Sequence, residues 1–267
     1  MCFRRIMAVV LRQYYLIRAS LSRILPLFIW VAVDIVLWGF LTRYLNTVSS
    51  AGFNFVPAML GAVLLWDFFI RIMQGVTMTF FEDVWARNFL NLFSTPISTI
   101  EYICGLVISS IATSSIGIIA MFILAVAVFG LSFASYGVFL IPFLLVLFMF
   151  GIALGIAASA LVLRLGPAAE WFIWPIPAII SPFVGVLYPV SILPPWMQTV
   201  SRIFPPSYVF ESLRSIVFHH TASWSSLLIS MALAAGYIFL ACLFFISTYK
   251  HAVRTGLIAR YSAESIT

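Results

Sequence analysis

Ionisable side chains are scarce in this 267-residue chain, and the few that interrupt its apolar runs are the first candidates for chemistry. Asp34, Asp67 and Arg71 each fall inside such a run. A charged group at bilayer depth costs ~2.5–3.5 kcal/mol on insertion scales, so it needs a partner, a cavity or a transport path. Asp67 and Arg71 are spaced i, i+4 and share a helix face, where they can neutralise each other as a structural ion pair. The other reading of the two is a polar contact in a translocation path. Asp34 has no partner in its own helix and is expected to reach a neighbouring span or an aqueous cavity. Glu211 and Arg214, spaced i, i+3, can pair across one helix turn.

Other chemistry finds little support. A P-loop needs a Gly-rich turn followed by Lys and Ser or Thr, but the single lysine, Lys250, precedes His251. If ATP drives this protein, hydrolysis takes place on another polypeptide. His219 and His220 are adjacent, which points them in different directions on a helix and makes them a poor chelate, so a solvated or headgroup-facing pair is expected. The three cysteines, Cys2, Cys104 and Cys242, are far apart, which argues against a disulfide framework or a zinc site and for thiols packed as small hydrophobes. No Ser, His and acidic constellation stands out. The expectation is therefore a chain with no catalytic residue, no metal and no cofactor of its own.

The elements that must position these residues follow from composition. The chain is 64% hydrophobic and only 8% charged, whereas a soluble domain is nearer half apolar and a quarter charged. Too few charges remain to cover a water-soluble fold, which excludes a soluble enzyme, a nucleic-acid-binding domain and a disordered tail. A helical span needs ~20 apolar residues, so about six spans fit. The expected fold is an all-α polytopic membrane protein, one transmembrane domain over 1–267, with spans at about 24–41, 55–81, 103–129, 138–163, 171–187 and 227–248. The third and fourth form a hairpin, because residues 102–163 carry no charge and Gly130 to Gly137 reads as a tight turn.

Orientation follows from the basic residues. With the N-terminus inside, ten lie in cytoplasmic segments (Arg4, Arg5, Arg12, Arg18, Arg23, Arg87, Arg164, Lys250, Arg254 and Arg260), against Arg43, Arg202 and Arg214 outside. That bias places both termini in the cytoplasm. Residues 3–23 form a basic amphipathic helix. Arg4, Arg5, Arg12, Arg18 and Arg23 occupy one sector, and Val9, Val10, Leu16 and Leu21 fall mostly opposite. Such a helix suits the membrane interface, with its arginines toward anionic headgroups.

Residues 188–214 lie between the fifth and sixth spans. Pro189, Pro194-Pro195 and Pro205-Pro206 break any continuous helix, yet the segment is apolar and aromatic. It is expected to be a broken or re-entrant helical segment, tolerated at membrane depth where protein buries it or it lines a cavity. Pro189, Ser191, Leu193, Pro194, Trp196, Pro205, Glu211, Leu213 and Arg214 stand in the order seen in the type-2 ABC exporter permeases, the membrane subunits of one large class of ATP-driven exporters. The chain resembles that family in its six spans and interfacial N-terminal helix as well, so the resemblance covers nearly its whole length.

Residues 82–96 carry a second resemblance, ending in a Thr95-Pro96 step. In the family the corresponding cytoplasmic segment is a coupling helix that docks in a cleft of the ATPase. Here Glu82 and Asp83 are expected to precede that helix at its positive end. Val84, Phe89, Leu92 and Phe93 offer an apolar patch, with Trp85 and Arg87 beside it, and Pro96 stops the helix. Many relatives carry Gly and then Glu where this chain has Arg87 and Leu90.

The resemblance implies a permease subunit working as two copies beside two ATP-binding cassette subunits, with ATP and Mg bound on those partners. The aromatic, apolar spans suit an amphipathic or lipid-like cargo: a drug, a lipid or a lipid-linked compound. The alternatives are a polysaccharide-exporting permease and, from a different class, an ion-gradient-driven transporter using Asp34 and Asp67 as proton carriers. The small residues Gly151, Gly155 and Ser159 recur at every fourth position and allow close packing, within one subunit or along a dimer seam. The family places such a chain in a bacterial inner membrane, in contact with lipid and not with nucleic acid.

Overall fold

A computed structural model describes residues 2–18, 21–48, 59–86, 91–92, 95–131, 136–166, 169–219, 221 and 223–256. Every regular element among them is helical. In chain order these are α1 (Phe3–Arg18), α2 (Leu21–Val48), α3 (Gly61–Trp85), α4 (Thr99–Phe129) and α5 (Leu140–Leu165). The short α6 (Glu170–Ile173) and α7 (Ile176–Val184) follow, then a 3-10 turn at Val190–Ile192, α8 (Pro195–Ser201), α9 (Pro205–His219) and α10 (Trp224–Arg254). Four of them, α3, α4, α5 and α10, are long and apolar enough to cross a membrane.

The helix ends have readable causes. Ser98 caps α4 by accepting from the Glu101 N–H, while the Glu101 carboxylate accepts from the Ser98 N–H at 3.0 Å, a reciprocal capping box. Gly130 closes α4 in the left-handed conformation at φ 65°, which glycine adopts without steric cost. Ser223 caps α10 through its hydroxyl.

Helix α5 is the hub. It packs along α3 and α10 and also meets α9, while α4 receives α1, α2 and the other side of α3. Phe143, Val146, Leu147 and Phe150 of α5 are fully buried. Phe150 stacks on Phe69 at 5.5 Å between centroids and meets Tyr237 of α10 edge-on at 5.1 Å. The Gly151–Gly155–Ser159 stripe faces α3 of the same chain. A Cβ at Gly155 would stand 2.8 Å from the Met73 carbonyl oxygen, so only a glycine admits α3 at this distance. Hydroxyls of α4 close the other seam: Ser110 donates to the Ile72 carbonyl and Ser114 to that of Arg71, each at 3.2 Å.

Three boundaries differ from expectation. The amphipathic N-terminal helix ends at Arg18, and Arg23 belongs to α2. The second long helix continues to Trp85, so Glu82 and Asp83 lie in the last turn of α3, at its negative end, instead of opening a separate helix. No breaker stands between Phe81 and Trp85, and apolar positions continue to Val84. The stretch expected as one span at 171–187 is interrupted, because α6 ends at Ile173 and α7 begins at Ile176. Pro175 and Pro177 lack the N–H a continuous helix would use. At 1.5 Å per residue, the nine residues of α7 reach only ~14 Å, about half of a ~30 Å hydrocarbon core.

Candidate functional site

The charges inside the bundle converge. Arg71 Nε donates to Asp67 Oδ2 at 2.7 Å along α3, the i, i+4 pair foreseen from spacing. Asp34 comes in from α2, with Oδ2 4.0 Å from Arg71 Nη2. One guanidinium thus serves two carboxylates. Asp34 is the exposed member at 39%, against 15% for Asp67 and 13% for Arg71.

The proline-rich segment is a set of short elements folded back against α9. Helix α7 ends at Gly185, which takes φ 66° and turns the chain. Pro189 precedes the 3-10 turn, and Pro194 and Pro195 start α8. The hydroxyl of Tyr188 donates back to the Pro182 carbonyl at 2.8 Å, and Gln198 donates to that of Leu193 at 2.8 Å. Trp196 is largely exposed and meets Phe183 edge-on at 6.1 Å. Pro205 opens α9 in a buried position. Glu211 and Arg214 of α9 do more than pair. Glu211 Oε1 accepts from Arg214 Nη1 and from the backbone N–H of Val190, both at 2.7 Å, while Arg214 Nη2 donates to the Gly185 carbonyl at 2.7 Å. The two side chains hold both ends of the 185–190 bend.

The third cluster surrounds the segment joining α3 to α4. Asp83 is buried and is shared by two other helices: Arg12 of α1 pairs with Oδ1, and the Tyr102 hydroxyl of α4 donates to Oδ2 at 2.6 Å. Gln13, with its amide nitrogen turned to the carboxylate, donates to Glu82 Oε2 at 2.7 Å and accepts from Arg12 Nη2 at 3.2 Å. At the α4 end, Glu101 Oε1 accepts from the Cys2 N–H at 2.6 Å, and Arg5 lies 3.6 Å from Oε2 while donating to the Pro96 carbonyl. Trp85 is exposed, whereas Leu92 is buried. Arg87, Phe89 and Phe93 lie outside the described residues, as does the side chain of His219 with the whole of His220.

Sequence reasoning missed Arg12, Tyr102 and Glu101 as members of this cluster. The Ser98–Glu101 spacing was a readable capping signal, but nothing local tied Arg12 to Asp83, 71 residues away.

A narrow crevice of only about 10 Å³ lies between α3 and the broken α6–α7 pair, lined by Met73, Met78, Ile173 and Trp174 with Gln74 and Thr77 as its polar members. Among the described residues no group of three or more His, Cys, Asp or Glu is placed to hold a metal ion.

Comparison with known families decides the class. The model of the family described as ABC-2 type transporter matches residues 5–218. The chain belongs to the ABC-2 type transporter family. It is the transmembrane subunit of an ABC transporter, a transport component that generally performs no catalysis itself, and the family implies an ATP-binding cassette partner. The match takes in the three polar clusters, apart from Cys2, and the crevice; α10 lies beyond it. No match is found among curated proteins.

Proposed function

We propose that this ABC-2 subunit is the permease of an ATP-driven exporter for an amphipathic or lipid-like compound. The observation that carries the cargo class is the apolar, aromatic make-up of the spans, 64% hydrophobic and 16% aromatic over the chain, and the crevice between α3 and α6–α7 has walls of the same thioether, aromatic and aliphatic kind. Such a lining rewards burial of an apolar body.

The chain acts with both termini in the cytoplasm of a bacterial inner membrane. Helix α2 and the proline-broken α6–α7 complete six crossings with the four long helices. Residues 82–96 couple to an ATPase that binds ATP and Mg, with Trp85, Arg87, Phe89 and Phe93 as the docking residues, while the buried Leu92 anchors the segment to the permease. Glu82 and Asp83 root that segment in α3. A second copy completes the path. Pro189, Leu193, Pro194, Trp196 and Pro205 shape the exit side.

The test is co-expression with a candidate ATPase subunit and reconstitution into proteoliposomes, following a fluorescent amphiphile across the bilayer. ATP-dependent movement that requires both chains is expected. Movement driven by a proton gradient without the ATPase overturns the reading in favour of a secondary transporter. Phe89→Asp is expected to abolish co-purification of the ATPase while the permease still inserts.

A further inference from the structure

The segment between α3 and α4 has two roots, the last turn of α3 and the first turn of α4, and each contains a buried carboxylate. Asp83 is 3% exposed and Glu101 is 4% exposed at the side chain. Both carboxylates are held by the same third element. Arg12 of α1 pairs with Asp83, which also takes the Tyr102 hydroxyl. Cys2 and Arg5, at the other end of α1, hold Glu101 and the Pro96 carbonyl. Between these two knots Val9 of α1 is buried on Gly105 of α4, where a Cβ would stand 2.7 Å from that of Val9.

One polar contact would act as a hinge, but three contacts along a rod do not. Cys2 and Arg12 are ten positions apart, or ~15 Å along a helix. Parting α1 from the roots would take from Asp83 its cation and leave it the Tyr102 hydroxyl alone. It would take from Glu101 the Cys2 N–H and Arg5 and leave it the Ser98 N–H, so both buried carboxylates favour moving with α1. We propose that α1, the end of α3 and the start of α4 form one rigid unit, with Asp83 and Glu101 as its positioning residues, so that α1 is displaced as a body whenever the 86–98 segment is pushed. This rests on the reading of residues 82–96 as the ATPase-docking segment.

The test is a distance measurement by electron spin resonance on the reconstituted permease–ATPase complex. Cys2, Cys104 and Cys242 are first replaced by Ala. Spin labels go on exposed positions: Leu11 of α1, Ile100 of α4 and Leu243 of α10. Labelled copies are diluted with unlabelled ones so that one pair reports per complex. Between the nucleotide-free state and the state trapped with ATP and vanadate, the Leu11–Ile100 distance is expected to keep its mode and width. The Leu11–Leu243 distance is expected to shift. In Asp83→Asn and Arg12→Met the Leu11–Ile100 distribution is expected to broaden and the Leu11–Leu243 shift to shrink.

With ATP hydrolysis intact, a Leu11–Ile100 distance that changes on trapping overturns the rigid unit. A Leu11–Leu243 distance that does not change overturns the displacement of α1. The unsubstituted pairings carry the decision even if Asp83→Asn fails to fold. Failure of the ATPase to bind at all counts against the functional reading itself and is separately visible as loss of co-purification.

Discussion

Arg71 is where charge and environment conflict most sharply, since one cation answers for Asp67 and Asp34 inside an apolar bundle. Removing it leaves two carboxylates without their cation, and breaking a buried pair from one side costs ~3–5 kcal/mol. Arg71→Met is therefore expected to lower the thermal unfolding midpoint in detergent well below that of Asp67→Asn, which leaves Arg71 with Asp34. Equal shifts for the two variants would mean that Asp34 contributes nothing to holding the guanidinium. Tyr102 poses a cleaner question, because its hydroxyl makes a 2.6 Å bond to a buried carboxylate. Tyr102→Phe removes that bond with little change in volume and is expected to cost ~1.5–3 kcal/mol, the range for hydrogen bonds to charged groups, read in the same unfolding assay. The Asp67–Arg71 and Glu211–Arg214 pairs were legible from spacing alone, because positions three or four apart meet on any helix. The Arg12–Asp83–Tyr102 cluster was not, because its members come from three helices whose apposition no local pattern encodes.

Among the helices, α3 and α5 depend on glycine in a way that α10 does not. A side chain at Gly155 would meet Val76 Cβ at 2.7 Å, whereas one at Gly236 would meet nothing within 4 Å. Gly155→Val is expected to force α3 from α5 and give aggregated protein on size-exclusion chromatography. Gly236→Ala is expected to elute unchanged, since it costs no space and favours the helix by ~1 kcal/mol. The proline-rich bend tests a second element. Its amide at Val190 is protected by Glu211, so Glu211→Ala is expected to speed hydrogen exchange there about ten-fold, as local opening loses a charged acceptor. Unchanged exchange would show that α8 and α9 hold the bend without the clamp. The small-residue stripe and the proline breaks were both readable in the sequence. The gap between α6 and α7 was read through as one span, because its hydrophobicity outweighed Pro175 and Pro177.

For the molecule as a whole, the arginine distribution is the orientation signal. Single cysteines in a background without the native three test it in intact cells. Trp196→Cys is expected to react with a membrane-impermeant maleimide from outside, and Ala86→Cys only after the membrane is opened. The reverse pattern would invert the topology and remove the 86–98 segment from reach of any cytoplasmic ATPase. With Lys250 as its single lysine the sequence holds no P-loop, so any ATP-driven motor lies on another chain, and the ABC-2 type transporter family implies an ATP-binding cassette partner.

Composition and local spacing were enough for the class of this protein. A chain with few charges and long unbroken apolar runs reads as a helical membrane protein, since hydrogen bonding within each helix satisfies the backbone in lipid, whereas the strands of a barrel would alternate apolar and polar residues. Pairs within one helix, caps such as Ser98–Glu101 and the proline breaks are set by neighbours in sequence. Tertiary structure alone decided that Asp34 of α2 joins Arg71 and that α1 is tied to both roots of the 86–98 segment. Those outcomes depend on which helix faces meet, and burial makes each such meeting hold only if the charges brought together find one another.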